Sequence, residues 1–193
     1  MKKYLISGIP PSESGVGYLM YLIEKLALDN SFQVIYPKYS NISLRKLLAN
    51  PIKLVYEVYK RFKCKVLFKQ DINTIKNSEI ILIHPQTIGF NEFLSLIQTN
   101  TIIKWYVMDN SFFCIESYNV LNGKECINCL NDLDNCNSQC KPFPINYNKR
   151  VNLEYLKVLK KYASKILFYA QNSMQERLLK EFYGENINVR VLV

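Results

Sequence analysis

Short, unbroken apolar runs separated by segments of helical period constrain this 193-residue chain more than any other feature. Lys3 to Ser7, Phe32 to Tyr36, Ile80 to Ile83, Thr101 to Met108, Lys165 to Tyr169 and Asn188 to Val193 read as strands, with Lys65 to Phe68 a weaker one. Ile80-Ile81-Leu82-Ile83 has no polar residue at alternate positions, so both of its faces are expected to be buried, as in a covered parallel sheet. Between the runs lie helices. Val16, Leu19, Ile23 and Leu26 fall at helical spacing, and Asn91 to Ile97 and Val151 to Tyr162 follow the same pattern. Ser43 to Arg61 is helical with a break at Pro51. The last helix has Ser173 and Glu176 at the spacing of a capping box, an apolar face of Met174, Leu178, Leu179 and Phe182, and Gly184 as its stop. Strands alternating with helices predict a Rossmann-like α/β fold, a parallel sheet with helices on both faces, in a single domain.

An apolar content of 49% excludes a disordered or collagen-like chain, and the length suffices for one domain with a full core. Met1-Lys2-Lys3 leads into a short apolar run, too short for the core of a signal peptide. No stretch approaches the ~20 apolar residues of a membrane span. The expected compartment is the cytosol or the inner face of the membrane, where thiols stay reduced. The net charge of +9 is uneven: Arg45, Lys46, Lys53, Lys60, Arg61, Lys63, Lys65 and Lys69 face one acid, Glu57, and aromatic residues interleave with them. That segment reads either as a solvated helix face or as a surface for anionic membrane, at roughly 1 kcal/mol per nearby basic residue. Nucleic acid could use the same charges, but no recognition motif accompanies them.

Three groups of residues carry candidate chemistry. Cys126, Cys129, Cys136 and Cys140 form a C-x2-C-x6-C-x3-C cluster, with Cys114 just upstream as a substitute ligand or a free thiol. Four thiolates suit a closed, structural zinc site, and the spacing matches neither common ferredoxin pattern. Cys64, isolated among basic and aromatic residues, reads as a core filler. Gly15 and Gly17 stand where the first strand hands over to the first helix, so they either let amides approach a phosphate or merely permit the turn. The third glycine of a dinucleotide fingerprint is absent, Met20 standing in its place, and Tyr36-Pro37-Lys38 occupies the position of a ribose-binding acid. Two strand ends, His84-Pro85-Gln86 and Asp109-Asn110-Ser111, are expected beside the glycine loop. His84 is either a hydrogen-bonded core group or a substrate contact. Asp109, a carboxylate after four apolar residues, needs a local partner or a substrate, and could orient a sugar hydroxyl or act as a general base. A single histidine and no G-x-S-x-G elbow speak against a hydrolase triad.

Ser14-Gly15-Val16-Gly17-Tyr18 opening a helix is similar to the glycine loop of GT-B glycosyltransferases of the family 4 type. Trp105-Tyr106-Val107-Met108-Asp109-Asn110-Ser111-Phe112-Phe113-Cys114 resembles the strand that in that family ends in His-Asp-x-Trp. Phe168-Tyr169-Ala170-Gln171-Asn172-Ser173, with the helix and strand that follow, resembles the last elements before the interdomain linker. Ser14 and Met108 depart from the family pattern, the second removing its usual histidine. The resemblance spans the chain as the N-terminal, acceptor-side half of such an enzyme, with a Cys-rich loop at 112–146 and the C-terminal donor-binding domain absent. It implies a retaining hexosyl transfer from a nucleotide-sugar to a cell-surface glycan or lipid-linked acceptor. Gly15 and Gly17 would then face the donor diphosphate, while Asp109, Asn110 and His84 would line the acceptor side. The end on Val191-Leu192-Val193, without a polar tail, agrees with a further lobe downstream. The competing expectation is a non-enzymatic, zinc-braced α/β module that binds a partner, an anionic membrane or nucleic acid through its basic segment.

Overall fold

Apolar runs become strands here because each pairs its backbone with a parallel neighbour while its side chains alternate between two cores. The computed structural model describes residues 1–12, 15–37, 72–143 and 148–192. Ser14, Cys64, the helix expected at 43–61, the strand expected at 65–68 and the basic segment lie outside them. Among the described residues a sheet of six strands forms, in the order β2-β1-β3-β4-β7-β8, with every pairing parallel. Its strands are β1 (Lys3–Ser7), β2 (Gln33–Ile35), β3 (Glu79–Ile83), β4 (Ile102–Tyr106), β7 (Ile166–Ala170) and β8 (Asn188–Val191). A separate hairpin of β5 (Val120–Leu121) and β6 (Lys124–Glu125) stands outside it. The helices are α1 (Gly15–Asp29), α2 (Phe90–Thr99), the single-turn α3 (Asn128–Asn131), α4 (Lys149–Lys160) and α5 (Ser173–Tyr183).

Helices cover both faces of the sheet. On one face Tyr4, Ile6, Ile80, Leu82, Trp105 and Phe168 meet Phe93 and Leu96 of α2, Leu156 and Leu159 of α4, and Leu179 and Phe182 of α5. On the other, Leu5 and Ile83 pack with Met20 of α1, which has no exposed surface. Each such buried side chain stabilises the fold by about 1.5–3 kcal/mol relative to an exposed one. Beside α1, the same face leaves an apolar groove of about 440 Å³ lined by Leu19, Ile23, Leu26, Phe32, Ile81 and Tyr106. Among the described residues no helix is long and apolar enough to cross a membrane.

Three local expectations are corrected. The buried side of α1 runs through Met20 and not Leu26, which is 62% exposed. In α5 the cap is Asn172, whose side chain accepts from Gln175 N (2.9 Å), while Gln175 Oε1 accepts from Gln171 N (2.9 Å). Ser173 is thus the first helical residue. Asparagine caps at least as well as serine, and one position upstream it fits the entry of the chain. That one-residue shift buries Gln175 and leaves Met174 half exposed; Glu176 pairs with Lys180 instead (2.7 Å).

Candidate functional site

The carboxyl ends of β1, β3, β4 and β7 lie level, because Ser7 pairs with Ile83, Ile83 with Tyr106, and Tyr106 with Tyr169. The loops that leave these strands therefore start from one rim. Gly8 locks the first two together. Its N–H donates to the Ile83 carbonyl (3.0 Å), and a Cβ there would lie 1.8 Å from Thr87 Oγ1 and 2.4 Å from the His84 carbonyl oxygen. Only glycine lets the loop after β1 approach the loop after β3 so closely.

Each glycine of the expected phosphate loop has a backbone reason to be there. Gly15 opens α1 at φ +54°, in the left-handed region, and faces open space. Gly17 is packed: a Cβ would sit 1.8 Å from Ser12 Oγ, and Ser12 N donates to the Gly17 carbonyl (3.1 Å). Gly15 thus borders accessible volume at the helix start, whereas Gly17 serves the fold-back of the loop.

His84 lies 6% exposed at φ +51°, a conformation that turns its ring back into the rim. Thr87 Oγ1 donates to the His84 carbonyl (3.0 Å), so the same oxygen accepts from Nδ1–H (3.0 Å). Nε2 is then a bare acceptor and takes a hydrogen from Gln86 Nε2 (3.0 Å). The second hydrogen of Gln86 Nε2 goes to Asp109 Oδ2 (2.8 Å). Gln86 Oε1 is buried and has no hydrogen-bond partner among the described residues. Burial pushes the His84 pKa below its ordinary value of 6.5, and the Asp109 carboxylate, 3.7 Å from Nε2, only partly opposes it. The imidazole is therefore neutral at pH 7, with both nitrogens occupied by neighbours.

Asp109 differs from His84 in keeping capacity to spare. Oδ1 accepts from Ser111 N (3.0 Å) and Oδ2 from Gln86, which leaves lone pairs on both oxygens of a side chain 17% exposed. Such a carboxylate is aimed, and it can still accept a hydroxyl. Asn110 is engaged in shaping the loop: its Nδ2 donates to Asn119 Oδ1 (2.7 Å), its N–H to the Ser117 carbonyl (2.9 Å), and its carbonyl accepts from Phe113 N and Cys114 N. From β7, Gln171 Nε2 reaches the Val107 and Met108 carbonyls (3.0 and 3.1 Å) and fixes the backbone leading into Asp109. The bridging Gln86, the locking Gly8 and Gln171 had no assigned role in the sequence reading. Only the position of Gln86, three residues beyond the end of β3, signalled it.

Cys126, Cys129, Cys136 and Cys140 lie within electrostatic reach of one another, and Cys114 joins them. All five are free thiols, with Cys114, Cys129 and Cys140 buried. Cys136, Cys114 and Cys140 act electrostatically on Cys129, and Cys126 acts on both Cys114 and Cys140. Burial first, then the Cys136 thiol, pushes Cys129 far up and Cys140 up to about 12; burial also raises Cys114. The thiols are neighbours, yet among the described residues no three His, Cys, Asp or Glu side chains are already arranged around an ion. Protonated thiols pack side by side in this way, and rotation about χ1 is what would turn their sulfurs to a common centre.

Compared with known proteins, the chain matches no family model, no curated protein and no solved structure.

Proposed function

We propose that this chain is the acceptor-side lobe of a GT-B glycosyltransferase, moving a hexose from a nucleotide-sugar to a cell-surface glycan or lipid-linked acceptor with retention of configuration. The observation that carries the reading is that the loop after β1, the loop after β3 and the stretch leading to Asp109 leave from one level rim of a parallel sheet, and open α/β sheets bind their ligands at that rim. Asp109, aimed by Gln86 and Ser111, would accept the hydrogen of the acceptor hydroxyl and hold it in line for attack. The open side of Gly15 would admit the donor diphosphate from a second lobe. His84 positions Gln86 and does not touch substrate in this scheme. The apolar groove, together with Tyr21, Leu22 and Leu26 exposed on α1, is compatible with a lipid-linked acceptor and with residence at the inner face of a membrane.

The test is transfer of radiolabelled hexose, from a panel of nucleotide-sugars to membrane lipid acceptors, by the chain expressed together with the reading frame that follows it. Asp109→Asn should lower transfer by roughly 10²–10⁴-fold, the range for loss of a general base. Unaltered transfer would remove Asp109 from the reaction, and tight binding of nucleotide-sugar to the 193 residues alone, by calorimetry, would contradict the two-lobe scheme. Salt-dependent binding to oligonucleotides but not to anionic liposomes would favour the competing reading, a non-enzymatic zinc-braced module.

A further inference from the structure

The set of neighbouring thiols is the feature that the transferase reading leaves unused. Between Met108 and Phe143 the regular structure consists of the short β5–β6 hairpin, the single turn of α3 and a 3-10 turn at Leu133–Asn135. A segment of this length with so little regular structure draws its order from side chains and turns. Cys114 sits in the turn directly after Asp109 and Asn110, its N–H donating to the Asn110 carbonyl (2.9 Å). The far end of the loop returns beside it: Phe143 N donates to the Ile115 carbonyl (2.8 Å), Ser117 Oγ to the Phe143 carbonyl (3.1 Å), and Lys141 N to Glu116 Oε1 (2.9 Å). These bonds bring Cys140 alongside Cys114. Cys129, on α3, lies within electrostatic reach of Cys136, which follows the 3-10 turn.

Cys126 lies at the edge of this set: it acts electrostatically on Cys114 and Cys140 but is not part of the core cluster. Cys114, Cys129 and Cys140 belong to the main core cluster and Cys136 packs against it, whereas Cys126 is half-buried and is tied by its N–H to Asn119 (2.7 Å). Thiols are weak hydrogen-bond partners, so four cysteines in or against one core, within electrostatic reach of one another, draw little stabilisation from S–H contacts. Four thiolates at one point are the preferred set for zinc, in a closed tetrahedral site. Their burial argues against a nucleophilic or redox role, which needs an accessible thiolate.

We propose that this loop binds one zinc ion through Cys114, Cys129, Cys136 and Cys140, fastening the loop to the turn that presents Asp109. The ion releases thiol protons to solvent as it binds, with no change in oxidation state. Cys126, the first cysteine of the C-x2-C pair, is the one left out. The proposal stands independently of the transferase reading, since it concerns only how the loop is held.

The experiment is elemental analysis of the purified 193-residue chain, followed by cobalt titration of the reduced, metal-stripped chain. About one zinc per chain is expected. Cobalt should bind at one equivalent and give the intense sulfur-to-cobalt and d–d absorption of a tetrahedral four-thiolate site, and zinc should displace it. Cys126→Ser should keep the full cobalt spectrum, while Cys114→Ser should weaken cobalt binding at least tenfold and shift its bands. Failure of the wild-type chain to take up either metal would overturn the site. Loss on Cys126→Ser with retention on Cys114→Ser would overturn the ligand set, and iron with acid-labile sulfide would overturn the metal. Should Cys114→Ser not fold, extended X-ray absorption of the zinc-loaded Cys126→Ser chain decides: four sulfur neighbours support the assignment and three contradict it.

Discussion

The rim of the sheet is positioned by backbone pairing, whereas the cysteine loop beside it is positioned by side chains. Ser7, Ile83, Tyr106 and Tyr169 come level through ladder bonds that almost any apolar sequence could make. The loop from Met108 to Phe143 depends on particular groups: Asn110 bonded to Asn119, Ser117 to Phe143, Phe112 and Phe113 without exposed surface, and five thiols. Sequence substitutions should therefore be absorbed by the rim and felt in the loop, except where the two touch. They touch at Asp109, which ends the apolar run of the one and starts the turns of the other.

The sharpest way to break this contrast is to cut a large side chain from each region. Phe168→Ala in β7 should cost about 3–5 kcal/mol in urea unfolding, as expected for a buried phenylalanine. Leu133→Ala in the loop should cost about 2–4 kcal/mol within the same single transition, because Leu133 belongs to the same core cluster. Two separated transitions would show that the loop folds as an independent unit. Gly8→Ala comes next. Its Cβ would collide with Thr87 Oγ1 and the His84 carbonyl, and the overpacking should cost about 1–3 kcal/mol and displace the β3 loop. An unchanged melting temperature would mean that this approach is loose.

Gln86→Ala is smaller in stability and more specific in effect. It removes the donor shared by His84 and Asp109, at about 1–2 kcal/mol, and should lower transfer by freeing the carboxylate. The smallest effect is a pH dependence. Burial holds the folded His84 pKa below 6.5, so below about pH 6.5 the unfolded chain binds the proton first. Stability should accordingly fall as the pH drops from 6.5 toward the folded pKa, and level off beneath it. His84→Asn, an exchange that tolerates the left-handed backbone, should flatten that part of the stability curve. A slope that persists in the variant would assign the titration elsewhere.

The same contrast explains what the sequence could and could not disclose. β1 and β3 were legible within a residue because their apolar runs are bounded by polar ones, and a parallel strand needs no further signal. The identity of the buried face in α1 was not, since Val16, Leu19, Met20, Ile23 and Leu26 satisfy helical spacing on two overlapping faces, and only the sheet selects Met20. The β5–β6 hairpin did have a signal, Asn122-Gly123, whose φ angles of 52° and 75° suit a tight primed turn. It was hidden because its strands are two residues long and carry no apolar alternation. At the rim, Asp109 and His84 could be singled out as polar groups ending apolar runs. The Gln86 bridge between them depends on a distance across strands, which no spacing along the chain encodes.

The most direct measurement is the amide spectrum of the ¹⁵N-labelled chain titrated with short-chain polyprenyl-phosphate-linked sugars. Shifts of Gln86, Asp109 and Asn110 that follow a single binding curve are the predicted result. Binding that leaves these three amides unmoved, and shifts others, would contradict an acceptor site on this rim.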